Sequence, residues 1–183
     1  EFGMLIPEFL FMHNQIRIKN SIMKLLEIEG VKMECGAPLP LVFADEHRVQ
    51  LIFLKLVESD VIPENDLKTV DIYVLTFNRC LKHCFGFPSD EALYGHPYHS
   101  LGMESYAFYE LENSDWLAEL EKIEKKAFPD YDVTKHWTIY KHYIITFHDS
   151  MFECIAKDYS IEERTIPSNV YVKLGKIEGF FME

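Results

Sequence analysis

The strictest constraint on the fold lies in residues 141–159, KHYIITFHDSMFECIAKDY. Apolar and polar side chains alternate on both sides of a short polar break, and successive side chains of a strand point to opposite faces. With Asp149 and Ser150 as the two turn residues, Phe147 faces Phe152, Thr146 faces Glu153 and Ile145 faces Cys154. Further out, Tyr143 meets Ala156 and Lys141 meets Asp158. One face of this ribbon carries Tyr143, Ile145, Phe147, Phe152, Cys154 and Ala156. It ends in a Lys141–Asp158 cross-strand ion pair, worth roughly a few tenths of a kcal/mol. A slip of one residue would bury the charges, so burial decides which face turns inward. Asp-Ser is not the Asn-Gly type that a tight hairpin turn favours. A turn of three or four residues, with the Asp149 side chain accepting a backbone N–H, is the alternative and would shift the pairings.

The opposite face carries His142, Ile144, Thr146, His148, Glu153, Ile155 and Lys157. His148 and Glu153 become diagonal neighbours, so His148, Asp149 and Glu153 are the candidate catalytic residues at the sheet rim. His142 and His148 stand six residues apart, about 20 Å along a strand, too far to share a metal. Turn chemistry is the bland account of Asp149 and Ser150.

Elsewhere the pattern predicts mostly strands. VQLIFLKLV (49–57) and TVDIYVLTF (69–77) are β-branched and aromatic, with a polar connection between them. NRCLKHCFGF (78–87) continues as a bent or second strand that stops at Pro88, and YAFYELEN (106–113) is another strand. One helical turn fits 89–94. SDWLAELEKIEKKAFP is the clearest helix, capped by Ser114 or Asp115 and stopped near Pro129. A short helix fits NSIMKLLEIEG (20–30), with Gly30 at its left-handed end. NVYVKLGKIEGFF reads as an edge strand or two. Strands that do not alternate with crossover helices argue against a parallel sheet. The expected fold is α+β: a single antiparallel, sheet-rich domain with one or two packed helices and a short N-terminal helix.

At 183 residues, with 48% apolar and 14% aromatic side chains, the chain can bury a substantial core in one domain. Its net charge of −12 disfavours nucleic acid, whose phosphates need a basic face, and disfavours anionic membrane surfaces. It admits a protein partner with a basic surface. No apolar run reaches the roughly 18–20 residues of a membrane span. Four cysteines without a secretory leader suggest free thiols in a reducing, cytoplasmic setting. Glu1–Gly3 read as a cloning scar. Met33 follows a stretch whose codons can spell a ribosome-binding sequence, so residues 1–32 are expected to be an extension and 33–183 the domain.

Three further clusters invite chemistry. GHPYH places His96 and His99 three apart, which is half a metal site that Glu104, Glu110 or the hairpin histidines would have to complete. Exposed or core-capping histidines are the plainer reading. CLKHC holds Cys80, His83 and Cys84, but on a strand the two cysteines stand about 13 Å apart and share neither metal nor disulfide. ADEHR (44–48) reads as a polar turn. A nucleophile elbow, a phosphate loop, an H-E-x-x-H helix and an EF-hand loop are all absent from the sequence.

MECGAPLPLVFADEHRVQLIF, GHPYHSLGMESYAFYELENSDWLAELEKI and HYIITFHDSMFECIA together resemble a family of small bacterial proteins without an assigned activity. The likeness covers about 33–159 and implies a domain beginning at Met33. The FHD turn is also similar to turns in small bacterial immunity-type domains of toxin systems. A non-enzymatic, immunity-like interaction module without a cofactor is therefore the leading expectation. The alternatives are a small metal-dependent or acid/base enzyme using His96, His99, His148, Asp149 and Glu153, and a small-molecule binder with an aromatic pocket.

Overall fold

Two antiparallel sheets share the strands, where the sequence suggested one. The computed structural model describes residues 22–57 and 68–177. Its strands are β1 (Lys24–Glu27), β2 (Leu41–Ala44), β3 (Arg48–Leu54), β4 (Thr69–Asn78), β5 (Lys82–Gly86), β6 (Phe108–Glu112), β7 (Lys141–Thr146), β8 (Met151–Ala156) and β9 (Asp158–Pro167). The helices are α1 (Asp115–Ala127), α2 (Thr134–Trp137) and α3 (Ser168–Ile177), with 3₁₀ turns at Asp90–Gly95 and His99–Leu101. One sheet has the order β1-β6-β7-β8-β5 and the other β2-β3-β4-β9. The architecture is α+β.

The split into two sheets happens at one corner. β4 leads to β5 and β8 leads to β9, so a single pair of long antiparallel segments passes from one sheet to the other. Asn78 faces Asp158 on one side of the corner and Lys82 faces Ile155 on the other. Three residues, Arg79, Cys80 and Leu81, therefore oppose two, Ala156 and Lys157. Such a bulge bends and twists its strand. Arg79 absorbs the bend with a left-handed φ of +49°. The corner is clipped by Lys157 N–H to Asn78 O (3.0 Å), Leu81 N–H to Ile155 O (2.8 Å) and Asn78 Nδ2 to Asp158 Oδ1 (2.8 Å).

The hairpin keeps its predicted faces but not its predicted register. Phe147 N–H donates to Ser150 O at 2.8 Å, so His148 and Asp149 occupy the turn. Thr146 then faces Met151, Ile144 faces Glu153 and Tyr143 faces Cys154. A shift of two residues leaves every side chain on its original face. The Lys141–Asp158 pair does not form, because Lys141 now lies opposite Ala156. Lys141 Nζ reaches Glu110 Oε2 instead, at 2.7 Å.

Tyr143, Ile145, Phe147, Phe152, Cys154 and Ala156 turn toward Leu51, Phe53, Tyr73, Leu75 and Phe77 of the other sheet, forming the main core. Phe77 is its centre, with ring centroids 5.4 Å from Phe152, 5.6 Å from Tyr143, 6.2 Å from Tyr159 and 6.4 Å from Phe108. The tilted and edge-on geometries are those that aromatic quadrupoles favour. Helical segments cover both outer faces. Leu93, Tyr98 and Met103, around the 3₁₀ turns, pack on Tyr109, Leu111, Ile144 and Met151. Tyr171 of α3 packs on Ile72 and Val74.

Two further expectations fail. The segment expected as a helix over 20–30 forms β1, which pairs with β6 from Lys24↔Glu112 to Glu27↔Tyr109. A helix this short is marginal alone, and the open edge of β6 offers it a ladder. Gly30 keeps its left-handed conformation, at φ +93°, within the turn that follows; Asn20 and Ser21 lie outside the described residues. Part of the expected 1–32 extension is thus an edge strand of the five-stranded sheet. Of NVYVKLGKIEGFF, expected as strand, the residues up to Ile177 lie in α3 and 178–181 fall outside the described residues; Tyr171 of α3 packs on the outer face of β4. ADEHR is a hairpin turn, in which Asp45 Oδ1 accepts the N–H groups of His47 (2.8 Å) and Arg48 (3.0 Å).

Phe77→Ala should destabilise the protein by about 3–5 kcal/mol, as loss of a fully buried ring does. Tyr94→Ala, at a side chain 77% exposed, should change stability by less than about 0.5 kcal/mol. Urea unfolding midpoints of the two variants check this.

Candidate functional site

Glu153 lies on β8, on the face turned away from the aromatic core. β8 has no exposed residue along its length, so the carboxylate must find its partners within the protein. Directly opposite is Ile144, and diagonally across lies His142, whose Nε2 is 3.1 Å from Glu153 Oε2. His96, placed at the end of the first 3₁₀ turn, brings its Nε2 to 3.3 Å from Oε1. Ser114, the N-cap of α1, brings Oγ to 2.7 Å from His142 Nδ1.

The proton positions follow from the donors around the cluster. Tyr98 N–H donates to His96 Nδ1 at 3.3 Å, so the His96 hydrogen sits on Nε2 and points at Glu153. Leu117 N–H donates to Ser114 Oγ at 3.3 Å, and the Ser114 hydroxyl donates to His142 Nδ1. His142 Nε2–H then donates to the second carboxylate oxygen. Among the described residues no buried side-chain nitrogen or oxygen lacks a hydrogen-bond partner. Trp116 lies parallel to the His142 ring, with centroids 4.8 Å apart and 18° between planes, and Lys82 Nζ sits 4.0 Å over Trp116. Tyr98 donates its hydroxyl to Asp115 at the start of α1.

Burial alone would raise the Glu153 carboxyl, but the His142 and His96 hydrogen bonds outweigh it and bring it down to about 2.

Hydroxyl, imidazole and carboxylate stand in the order found in hydrolytic triads. The chemistry of such a triad is blocked here. Ser114 is 3% exposed and His142 fully buried. Ser114 Oγ already accepts the Leu117 N–H, and Trp116 covers one face of the imidazole. A nucleophile needs an open approach and donors for the developing oxyanion. What the arrangement does is tie three layers together: helix α1 through Ser114, the 3₁₀ turns through His96, and the sheet through Glu153.

The rim cluster expected around His148 divides. His148 turns from Glu153 to Asp90, with Nδ1 2.8 Å from Oδ2. The Tyr106 hydroxyl lies 3.0 Å from the same nitrogen and 3.3 Å from the same oxygen, and its ring stacks on His148 at 6.3 Å. The Asp90 hydrogen bond pushes His148 above its ordinary value, and the same bond lowers Asp90. Asp149 is solvated, its Oδ1 4.0 Å from His148 Nε2. His96 and His99 part company as well: His96 faces Glu153, while His99 is exposed. Glu104 and Glu110 join neither. Among the described residues no group of three or more His, Cys, Asp or Glu side chains is arranged to hold a metal. The four cysteines are free thiols; Cys80 contacts the core that buries Cys154, whose thiol is raised by desolvation.

Sequence reasoning missed Ser114 and His142 as members of one cluster with Glu153. It placed His142 and Glu153 on one face, and the two-residue register shift is what makes them diagonal neighbours. Asp90 and Tyr106 carried no local signal, since both approach His148 from distant segments.

No family model, curated protein or solved structure matches this chain. No helix among the described residues is long and apolar enough to cross a membrane.

Glu153 gives a signed pH dependence. Its carboxyl is lower in the folded chain, about 2, than the ordinary 4.5, so its contribution is complete above about pH 4.5 and is lost as pH falls toward 2. At about 1.4 kcal/mol per tenfold change in a protonation equilibrium, that contribution is about 3 kcal/mol. Glu153→Gln should cost about 1–3 kcal/mol near neutral pH, because its amide turns a donor toward one imidazole N–H. The gap to the parent should narrow between pH 4.5 and 2. Urea titrations across that range measure both effects.

Proposed function

We propose that this protein is a non-enzymatic interaction module of the immunity type, an acidic domain that binds a protein with a basic surface and needs no cofactor. The observation that carries this reading is the closure of the Ser114–His142–Glu153–His96 chain. The acid, base and hydroxyl groups best placed for catalysis are spent on each other. The net charge of −12 supports a basic partner and opposes nucleic acid. A pocket of about 220 Å³ lies between the 37–41 segment, Phe85, and Asp149 and Ser150 at the tip of the hairpin.

Immunity proteins act on a partner whose gene lies beside their own, and this supplies the test. The product of the adjacent gene, expressed alone, should arrest growth, and co-expression of this chain should relieve the arrest and give a stable complex on size-exclusion chromatography. Ser114→Ala should lower the melting temperature but preserve relief. Ester or peptide hydrolysis by the parent that disappears in a folded Ser114→Ala variant would replace this reading with a hydrolase.

A further inference from the structure

Among the described residues, β5 ends the five-stranded sheet. Alternate residues of an antiparallel edge strand turn their N–H and C=O groups away from the sheet, which makes the edge a template for another strand. Natural edges are commonly blunted by proline or by a projecting lysine. β5 has no proline, and its lysine, Lys82, is folded back over Trp116 and bonded to Glu119 at 3.2 Å. His83, Cys84 and Phe85 are exposed along it.

The pocket of about 220 Å³ opens beside this edge, at Phe85. Phe85 faces Phe152, so it belongs to the side of the sheet that bears the aromatic core, yet 41% of it remains exposed. The opposite wall is the 37–41 segment, and it is pinned. Leu54 N–H donates to Pro38 O at 2.8 Å, and the Tyr171 hydroxyl donates to Leu39 O. Leu39 holds a left-handed φ of +46°, uncommon for a leucine, with about half of its surface in water. An apolar cavity of roughly 150 Å³ accommodates benzene, so this pocket has room for one large apolar side chain. Asp149, 93% exposed in its side chain, stands at the rim.

We propose that the β5 edge and this pocket together bind an extended segment of the partner protein. The segment adds a strand alongside Lys82–Gly86, seats one large apolar side chain between Phe85 and Leu39, and sets a lysine or arginine against Asp149. Main-chain bonding supplies affinity and the pocket supplies selectivity, as in other strand-addition complexes. This inference rests on the protein-interaction reading and names its surface.

The probe is a displayed library of random decapeptides panned against the full chain. Selected peptides should carry a Phe, Leu or Met next to or near a Lys or Arg. A synthetic selected peptide should slow hydrogen exchange at least tenfold at the alternate amides of Lys82–Gly86 that turn away from β8. Methylating alternate peptide amides should weaken its binding at least tenfold, which tests the ladder without altering the protein. Leu39→Glu and Phe85→Glu, each checked for an unchanged melting temperature, should weaken binding by a similar factor, and Asp149→Lys should select against basic residues. Protection at another surface, such as β9, overturns this site and leaves the interaction reading standing. Equal binding by the methylated peptide overturns strand addition, and a library that yields no binder overturns the proposal, while the growth-relief experiment above judges the broader reading independently.

Discussion

β8 has water on neither side. All six of its residues are buried, and one of them, Glu153, is a carboxylate. An ion in that position is tolerated only if nearby donors replace its hydration. Two imidazoles do so, and each needs its own second nitrogen satisfied. His96 obtains this from the backbone of the loop it sits in, and His142 from the hydroxyl that caps α1. The demand of one buried carboxylate thus reaches through the sheet's outer layer and sets where the 3₁₀ turns and the start of α1 must rest.

The opposite face of the same hairpin is wholly apolar, and its packing partner exists only because the chain changes sheets. The bulge between Asn78–Asp158 and Lys82–Ile155 folds the second sheet over the first. Phe77, just before the bend, then lies over Phe152 and Tyr143. Sheet switching and the aromatic core are therefore one event, in which a three-against-two mismatch allows rings at distant positions to meet. The two faces of β7 and β8 are held by different physics: one by area removed from water, the other by a closed set of hydrogen bonds.

Period-two alternation revealed the hairpin and which of its side chains share a face, because burial acts on faces, and β-branched and aromatic runs revealed β3 and β4; β2 and β9 were not foreseen. Alternation did not reveal register. A shift of two residues preserves every face, so nothing in the pattern opposed it, yet it exchanged His148 for His142 as the neighbour of Glu153. The split into two sheets was equally hidden, since NRCLKHC reads as one strand or two until the opposing segment is known. β1 and α3 were misread for the opposite reason. Their short apolar patterns suit either conformation, and the available neighbour decided: an open β6 edge for Leu25 and Leu26, and the outer face of β4 for Tyr171. The helix at Ser114 was legible because cap, stripe and terminating proline agreed, but a cap residue gives no hint that its hydroxyl also serves a histidine 28 positions later.

A triad and a tie use the same residues, and what separates them is unspent bonding capacity. In a triad the hydroxyl donates to the imidazole and keeps its oxygen open to substrate. Here that oxygen already takes the Leu117 N–H, the carboxylate serves two rings, and the imidazole is stacked against Trp116. The rim turn two residues beyond β7 is the reverse case. Asp149 is solvated, and the neighbouring pocket wall is held rigid by bonds from Tyr171 and Leu54 rather than by its own occupancy. Binding energy requires groups that are positioned but not satisfied. By that criterion the buried polar chain secures the fold, whereas the β5 margin combines a strand with no neighbour on its outer side among the described residues, a pinned apolar wall and an exposed carboxylate.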